Sequence, residues 1–377
     1  MFKLKKNFIP FFLFSFLTIL PPNKPDLLLS KVWEVSFPNN GKPRAIVAAP
    51  IGNNERIYGV AKNGIVQAIS LQGKVVWEYD AGEEITLPLL ILRGLLFVLS
   101  PSGRLIALNV ETGEVFFEKN FGKGITSGAV SQDGTILLGF KGGKLCAFSC
   151  LSGKKLWSFS TQGDIVASPL IIREKLFLGT TKGKLYSIDP KKKGRPIWEK
   201  TLPGELRAPI VYSKGKLFLG STSDYFYAVD ATSGKMKWRF RTGGDIITKA
   251  IAWKNYIIVS SLDSSLYCFS QKRGHLIYRI DLPFRSYLSP LSAFDHLFIA
   301  PYGSKLLIIE PRTGRRKGEL EVGELITSPP LYFHNLIIVG TNKGKLVGFG
   351  KGAKANPPQE DNSRQQQQRL WRRLPHW

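Results

Sequence analysis

Cysteine is nearly absent. Cys146, Cys150 and Cys268 are the three in 377 residues, too few for a disulfide framework, and no Cys-x-x-Cys pair stands with a histidine cluster to hold a structural zinc. Neither cross-links nor metal hold this fold together. Long apolar runs are also lacking. The best of them, Phe8 to Leu20, has thirteen residues broken by Pro10, Ser15 and Thr18 and is followed at once by Pro21-Pro22, whereas a spanning helix needs about 20. With Lys3, Lys5 and Lys6 in front of it, residues 1–30 read as a secretory signal peptide or an uncut N-terminal anchor. Stretches of helical length rich in Ala, Leu, Glu and Lys are missing as well, which excludes a helix-built protein.

Acidic side chains are in short supply: 53 Lys and Arg face 28 Asp and Glu, a net charge of +25. Four basic and one acidic residue lie in 1–30, and six basic and two acidic in 351–377, leaving 43 against 25 and a net +18 for the folded part. Such an excess raises nucleic acid as a partner in a cytoplasmic protein. Export removes that partner and points instead to an anionic envelope polymer, a membrane surface or acidic proteins. The last segment, 351–377, contains Asn-Pro-Pro, four consecutive glutamines and a cationic-aromatic end, and is expected to be a disordered basic, Gln-rich tail.

What the chain does have is 43% hydrophobic residues, 37 Gly and 23 Pro, the composition of a folded, turn-rich protein. It also has a repeat. A Gly precedes an aromatic by four residues in Gly73-Lys-Val-Val-Trp77, and the same spacing recurs at Phe117, Trp157, Trp198, Trp238 and Tyr278, degenerates at Gly314 to Gly318, and leaves Trp33 alone at the front. Successive intervals from Trp33 are 44, 40, 40, 41, 40, 40 and 40. Two other landmarks keep the beat: a Gly-Thr/Ser step with a Gly-Lys-Leu turn, as in Gly179 to Leu185, and a small-Pro step, as in Ser168-Pro169 and Ala208-Pro209.

Forty residues at about ten per strand and turn make four strands per unit. Repeated antiparallel units that cannot bury their faces alone must stack on one another, and the architecture that does this is a β-propeller. Strands A, B and C occur eight times, but the outer strand D follows only seven of them. The eighth is the orphan around Trp33. The expectation is an all-β, eight-bladed propeller over 31–350, closed by the N-terminal strand pairing with the last blade. The aromatics Trp33, Trp77, Phe117, Trp157, Trp198, Trp238 and Tyr278 are expected to be structural, packing between blades.

The repeat, read as small-Pro, Gly-Ser/Thr-x-x-Gly-x-Leu, Ala-x-Asp-x-x-x-Gly-x-x-x-Trp, is similar to that of the pyrroloquinoline-quinone-like propellers. Eight blades closed from the N-terminus resemble the BamB family of outer-membrane assembly proteins. That resemblance implies a non-catalytic protein-interaction scaffold of the cell envelope, working beside a β-barrel assembly machine. It also brings an alternative, since a quinone-dependent dehydrogenase of this fold would hold its quinone over calcium with a Glu, an Asn and a catalytic Asp, often under a disulfide of neighbouring cysteines. No adjacent cysteines occur here, and a 40-residue beat leaves no room for pocket-building insertions. A propeller binding envelope polysaccharide is a third reading. Catalytic, cofactor-binding and metal residues are therefore assigned as none, with no cofactor. The family's members are lipoproteins and this chain has no cysteine near its start, so the expected location is periplasmic or on the extracytoplasmic membrane side without a lipidated Cys. One pattern asks for more: the D-to-A connections repeat Gly-acid-apolar around Glu84, Asp164, Glu205, Asp245 and Glu324, an expected acidic ring at one mouth of the channel, rimmed by Lys62, Arg104, Lys144, Lys182, Lys184, Lys343 and Lys345.

Overall fold

The computed structural model describes residues 27–39, 41 and 44–351; the signal and tail readings fall on segments that lie outside these. Among the described residues there are eight separate four-stranded antiparallel sheets, and no helix is long and apolar enough to cross a membrane. Blades 1 to 7 each use four consecutive strands, A to D, from Ile51–Gly52 through Arg316–Glu321. In blade 8 the strand Lys345–Gly350 pairs with Ser30–Ser36, so the two ends of the ring are joined by backbone hydrogen bonds within one sheet. The short A strands of neighbouring blades touch around the axis, and the D strands form the outer wall.

The core is divided the same way. Eight buried clusters each span one blade-to-blade junction, from Tyr58 and Leu96 between blades 1 and 2 to Trp33 and Ile57 between blades 8 and 1. Strands B and C carry most of this burial, and their residues alternate between the two neighbouring clusters because successive side chains point to opposite faces.

The repeated aromatic is a hook onto the next blade. The Gly of each C-to-D turn has φ near +62 to +79°, and a Cβ there would meet the ring of the preceding blade: Trp33 at Gly73, Trp77 at Gly113, Trp198 at Gly234, Trp238 at Gly274 and Tyr278 at Gly314. Glycine is thus required twice over, for conformation and for room. The hook is also a hydrogen bond. Trp33 Nε1 donates to the Leu71 carbonyl at 3.1 Å, Trp77 to Val110 at 3.0 Å, Trp198 to Ala231 at 3.3 Å and Trp238 to Gln271 at 3.2 Å, while the Tyr278 hydroxyl donates to Pro311 at 2.9 Å. A large apolar ring with one polar handle suits a site that is buried except for an exposed turn carbonyl.

Opposite each aromatic, on strand C, lies a small residue: Ala68, Ala107, Ala147, Ser187, Ala228, Cys268 and, for Trp33, Gly348. Blade 7 inverts the pair, with Gly318 facing Ile308. Its reason is positional, because the next blade's C-to-D turn is where the chain ends meet and no turn exists to be hooked. Leu27 and Leu29 pack against that junction instead. The one 41-residue interval is explained by an added residue in blade 4's turn, which forms the 3-10 turn Pro190–Lys192 capped by Asp189. In blade 5 the Ser233 amide, with its hydroxyl and Lys237, outweighs partial burial and holds the Asp230 carboxyl down to about 2.

All three cysteines are free and buried. Cys146 sits one residue before the small position, in the slot of Tyr186, and Cys268 occupies the small position itself; burial pushes the Cys268 thiol up to about 12.

Candidate partner-binding face

The D-to-A connections and B-to-C turns emerge on one face, and the backbone stitches them together. The residue in the acidic slot offers its carbonyl to the next blade's B-to-C turn, as when Thr181, Thr222 and Leu262 amides donate to Asp164, Glu205 and Asp245. The apolar residue after it is a plug: Ile85, Ile165, Leu206 and Ile246 are fully buried. Room for the plug comes from the glycine ending strand B, since a Cβ on Gly179 or Gly220 would strike Leu206 or Ile246. The Gly-acid-apolar pattern is therefore first of all a construction element.

Four of the five carboxylates each have a partner of their own. Glu84 faces Lys62 at 3.4 Å, Asp164 accepts the Gly142 amide at 2.8 Å, and Glu205 pairs with Arg207. Glu324 stands one slot earlier than the other four, because the buried plug of its connection is Ile326 and not Leu325. Its true counterpart is Glu83. Both reach the next blade's turn, Glu83 to the Ser100 hydroxyl and Arg104 at 2.7 Å each, Glu324 to the Thr341 hydroxyl at 2.7 Å and Lys345 at 2.9 Å. Burial would raise the Glu324 carboxyl, and those two partners outweigh it and hold it below its ordinary value. Of the anticipated basic rim, Lys62, Arg104, Lys184 and Lys345 are taken up in ion pairs.

Asp245 has acidic neighbours instead of a cationic partner. Partial burial raises its carboxyl above the ordinary 3.8, and the neighbouring Asp224 and Glu205 carboxylates push the same way. Ionising it in the folded protein is thus harder than in the unfolded chain, so its contribution to stability falls as pH rises past 3.8. Asp245→Asn is expected to raise Tm by about 1–2 °C at pH 7 and to change nothing at pH 3, as read by thermal melts at both values.

A different part of this face departs from the repeat. Between blades 6 and 7 the connection reads Pro283-Phe284-Arg285-Ser286-Tyr287, and blade 7's B-to-C turn reads Ala300-Pro301-Tyr302 in place of Gly-Thr/Ser. Ser286, fully buried, fills the plug slot and donates to the Ala300 carbonyl at 3.1 Å, and the Tyr302 amide donates to Arg285 at 2.8 Å. Relieved of plug and acid, the connection turns its rings outward: Phe284 is 61% exposed, Tyr302 60% and Tyr287 49%. Clefts of about 370 and 230 Å3 flank Tyr302, one running outward past Pro283 to Lys305 and Glu319, the other inward to Val47 and Leu325. Exposed aromatics grouped around clefts mark contact surfaces. The signal in the sequence was Ser286 standing where the other seven connections have a buried Ile or Leu.

Among the described residues no group of three or more His, Cys, Asp or Glu stands together to hold a metal ion.

The ring of eight four-stranded blades, seven of which lay an aromatic ring against the next blade's turn, defines a pyrroloquinoline-quinone-like propeller. A family model described as outer membrane protein assembly factor BamB matches residues 30–119, 63–207 and 181–350, and the chain belongs to that family. The outer membrane protein assembly factor BamB of Moranella endobia (strain PCIT) is 23% identical over 146 residues, 38% of this chain and 37% of that relative's length; the match thus spans well under half of the relative. The crystal structure of BamB from Moraxella catarrhalis superposes with a TM-score of 0.76 at 18% identity, over 88% of this chain and 99% of that one. The quinohemoprotein alcohol dehydrogenase from Comamonas testosteroni gives 0.73 at 13% identity, over 88% and 78%. At these identities the structures attest the fold alone.

Proposed function

We propose that the protein is a non-catalytic scaffold of the cell envelope that serves the assembly of outer-membrane proteins, and that its partner docks on the Phe284, Tyr287 and Tyr302 patch. Membership of the BamB family supports the role. The observation that carries the docking site is the exchange of a buried apolar plug for Ser286, with three exposed rings beside it, where the other seven connections keep a buried Ile or Leu. Aromatic anchors of this kind typically carry about 2 kcal/mol or more each in an interface.

Affinity capture from solubilised envelope tests both statements. The wild-type chain is expected to recover a β-barrel assembly protein, and Phe284→Ala with Tyr302→Ala to lower the affinity at least about 30-fold. Equal capture by the variant would move the docking site elsewhere. Recovery of no assembly protein, with calcium-dependent quinone binding in its place, would favour the dehydrogenase reading.

A further inference from the structure

At the junction of blades 2 and 3 the hooking ring is a Phe and the strand C residue before the small position is a Cys. Phe117 replaces the hooking Trp and has no N–H to give. Cys146 stands where blades 4, 5 and 6 have Tyr186, Tyr227 and Tyr267. Those tyrosines span the junction: the Tyr186 hydroxyl accepts from the Gln162 amide at 3.2 Å, and the Tyr227 hydroxyl donates to the Pro203 carbonyl at 3.1 Å. Cys146 cannot reach so far, and a cleft of about 640 Å3 opens, within the range of small-molecule sites.

Its floor is apolar. Phe121, Phe140 and Phe148 pack on one another with ring centroids 4.5 to 6.1 Å apart, beside Cys146. Its rim is basic. Lys119, Lys123, Lys141, Lys144, Lys154 and Lys155 line it with no acidic side chain and no arginine, and none of the six makes an ion pair among the described residues. Asp164 lies beside the rim, bound to the Gly142 amide. One absence has a traceable cause. In blades 2, 4, 7 and 8 the basic residue opening strand C pairs with the residue after the hook: Arg104 with Glu118, Lys184 with Glu199, Lys305 with Glu319 and Lys345 with Glu34. In blade 3 that position is Ser158, so Lys144 has lost its counterion.

We infer that the cleft binds an anionic phospholipid, with the phosphate among the lysines and an acyl chain on the phenylalanine floor. Lysine ammonium groups bind phosphate as compact point charges. An anion there supplies the charge that Ser158 withdrew, and apolar matter on the floor removes the half-buried Phe121 ring from water. A peptide would look for free backbone partners, and the lining amide of Gly142 is already taken.

Calorimetric titration of the full chain with dihexanoyl-phosphatidic acid, below its micelle concentration, tests the inference beside dihexanoyl-phosphatidylcholine, inorganic phosphate and a soluble acidic peptide containing phenylalanine. Phosphatidic acid is expected to bind one to one and at least tenfold tighter than each of the others. Cys146→Tyr, which installs the residue that blades 4, 5 and 6 carry in this slot, is expected to keep its thermal midpoint and lose at least tenfold in affinity. Lys123→Ala with Lys144→Ala is expected to lose as much and to flatten the salt dependence, and decides the matter should Cys146→Tyr fold poorly. No phosphatidic acid binding, phosphate binding as tightly, a preference for the peptide, or unchanged affinity in the lysine variant would each overturn it. The cleft is separate from the Phe284 patch, so Cys146→Tyr should capture the envelope partner as wild type does, and the two proposals fail independently.

Discussion

Trp33→Ala is expected to cost about 3–5 kcal/mol of stability, a large share of the 5–15 kcal/mol typical of a folded domain. The ring is buried to 9% exposure between Gly73 and Gly348, and its Nε1 loses the Leu71 carbonyl. Trp77→Ala should cost a similar amount, since Trp77 is equally buried and hooked in the same way. The structural consequences differ. Trp77 joins blades that the chain also joins covalently, whereas Trp33 belongs to the strand that closes the ring without a covalent link. Removing Ser30–Ser36 would leave Lys345–Gly350 as an unpaired edge, and unpaired edges recruit other chains. A chain lacking that strand is therefore expected to be aggregated or oligomeric in size-exclusion chromatography, and Trp33→Ala to show a lowered urea midpoint with association. A monomeric truncated chain with an unchanged midpoint would refute the closure. The closure also has a pH signature. Lys345 bridges Glu34 at 2.6 Å and Glu324 at 2.9 Å, and both carboxyls lie below their ordinary 4.5, Glu34 chiefly through Lys345 and Lys31. Their stabilisation is complete above 4.5 and is lost as pH falls through the depressed values.

The ring was legible in the sequence because its determinants are periodic. An aromatic every 40 residues, a glycine four before it and one strand left over fix blade number and closure, and Trp33 pairs opposite Gly348 in the sheet that joins the ends. The face was legible only in part. At Leu325-Ile326 two apolar residues adjoin, and spacing alone does not say which is the plug; burial selects Ile326 and moves Glu324 out of register with Glu84, Asp164, Glu205 and Asp245. Counterions were hidden because they come from neighbouring blades, as Glu83 from Arg104 across 21 positions. Phe284 and Tyr302 were unread because an aromatic in a repeat is ordinarily core. Their exposure stems from Ser286 taking the plug's place, a substitution visible only against the other seven connections.

Ile308→Ala is expected to destabilise by about 2–5 kcal/mol, and the fate of that loss on adding Gly318→Trp tests what specifies the outer wall. Elsewhere a large ring on strand D faces a small residue on strand C; in blade 7 the sizes are exchanged, and Ile308 is 4% exposed opposite Gly318. Gly318 has no positive φ, and a Cβ on it would meet only Ile308 Cδ1 in ordinary contact at 3.9 Å, so neither backbone nor room demands glycine, and only a side chain as large as the ring elsewhere would crowd Ile308. Gly318→Trp alone should cost about 1–3 kcal/mol through overpacking. With Ile308→Ala beside it, the ring gains the space that Ala68 gives Trp77, and the double variant is expected to recover at least half of the single-site loss, an interaction energy of about 1 kcal/mol or more in a urea double-mutant cycle. Full recovery is not expected, because no C-to-D turn lies beyond it to accept the indole N–H. Strictly additive losses would mean that volume is not conserved across this strand pair, and that Leu27 and Leu29 hold blade 7 to the junction without it.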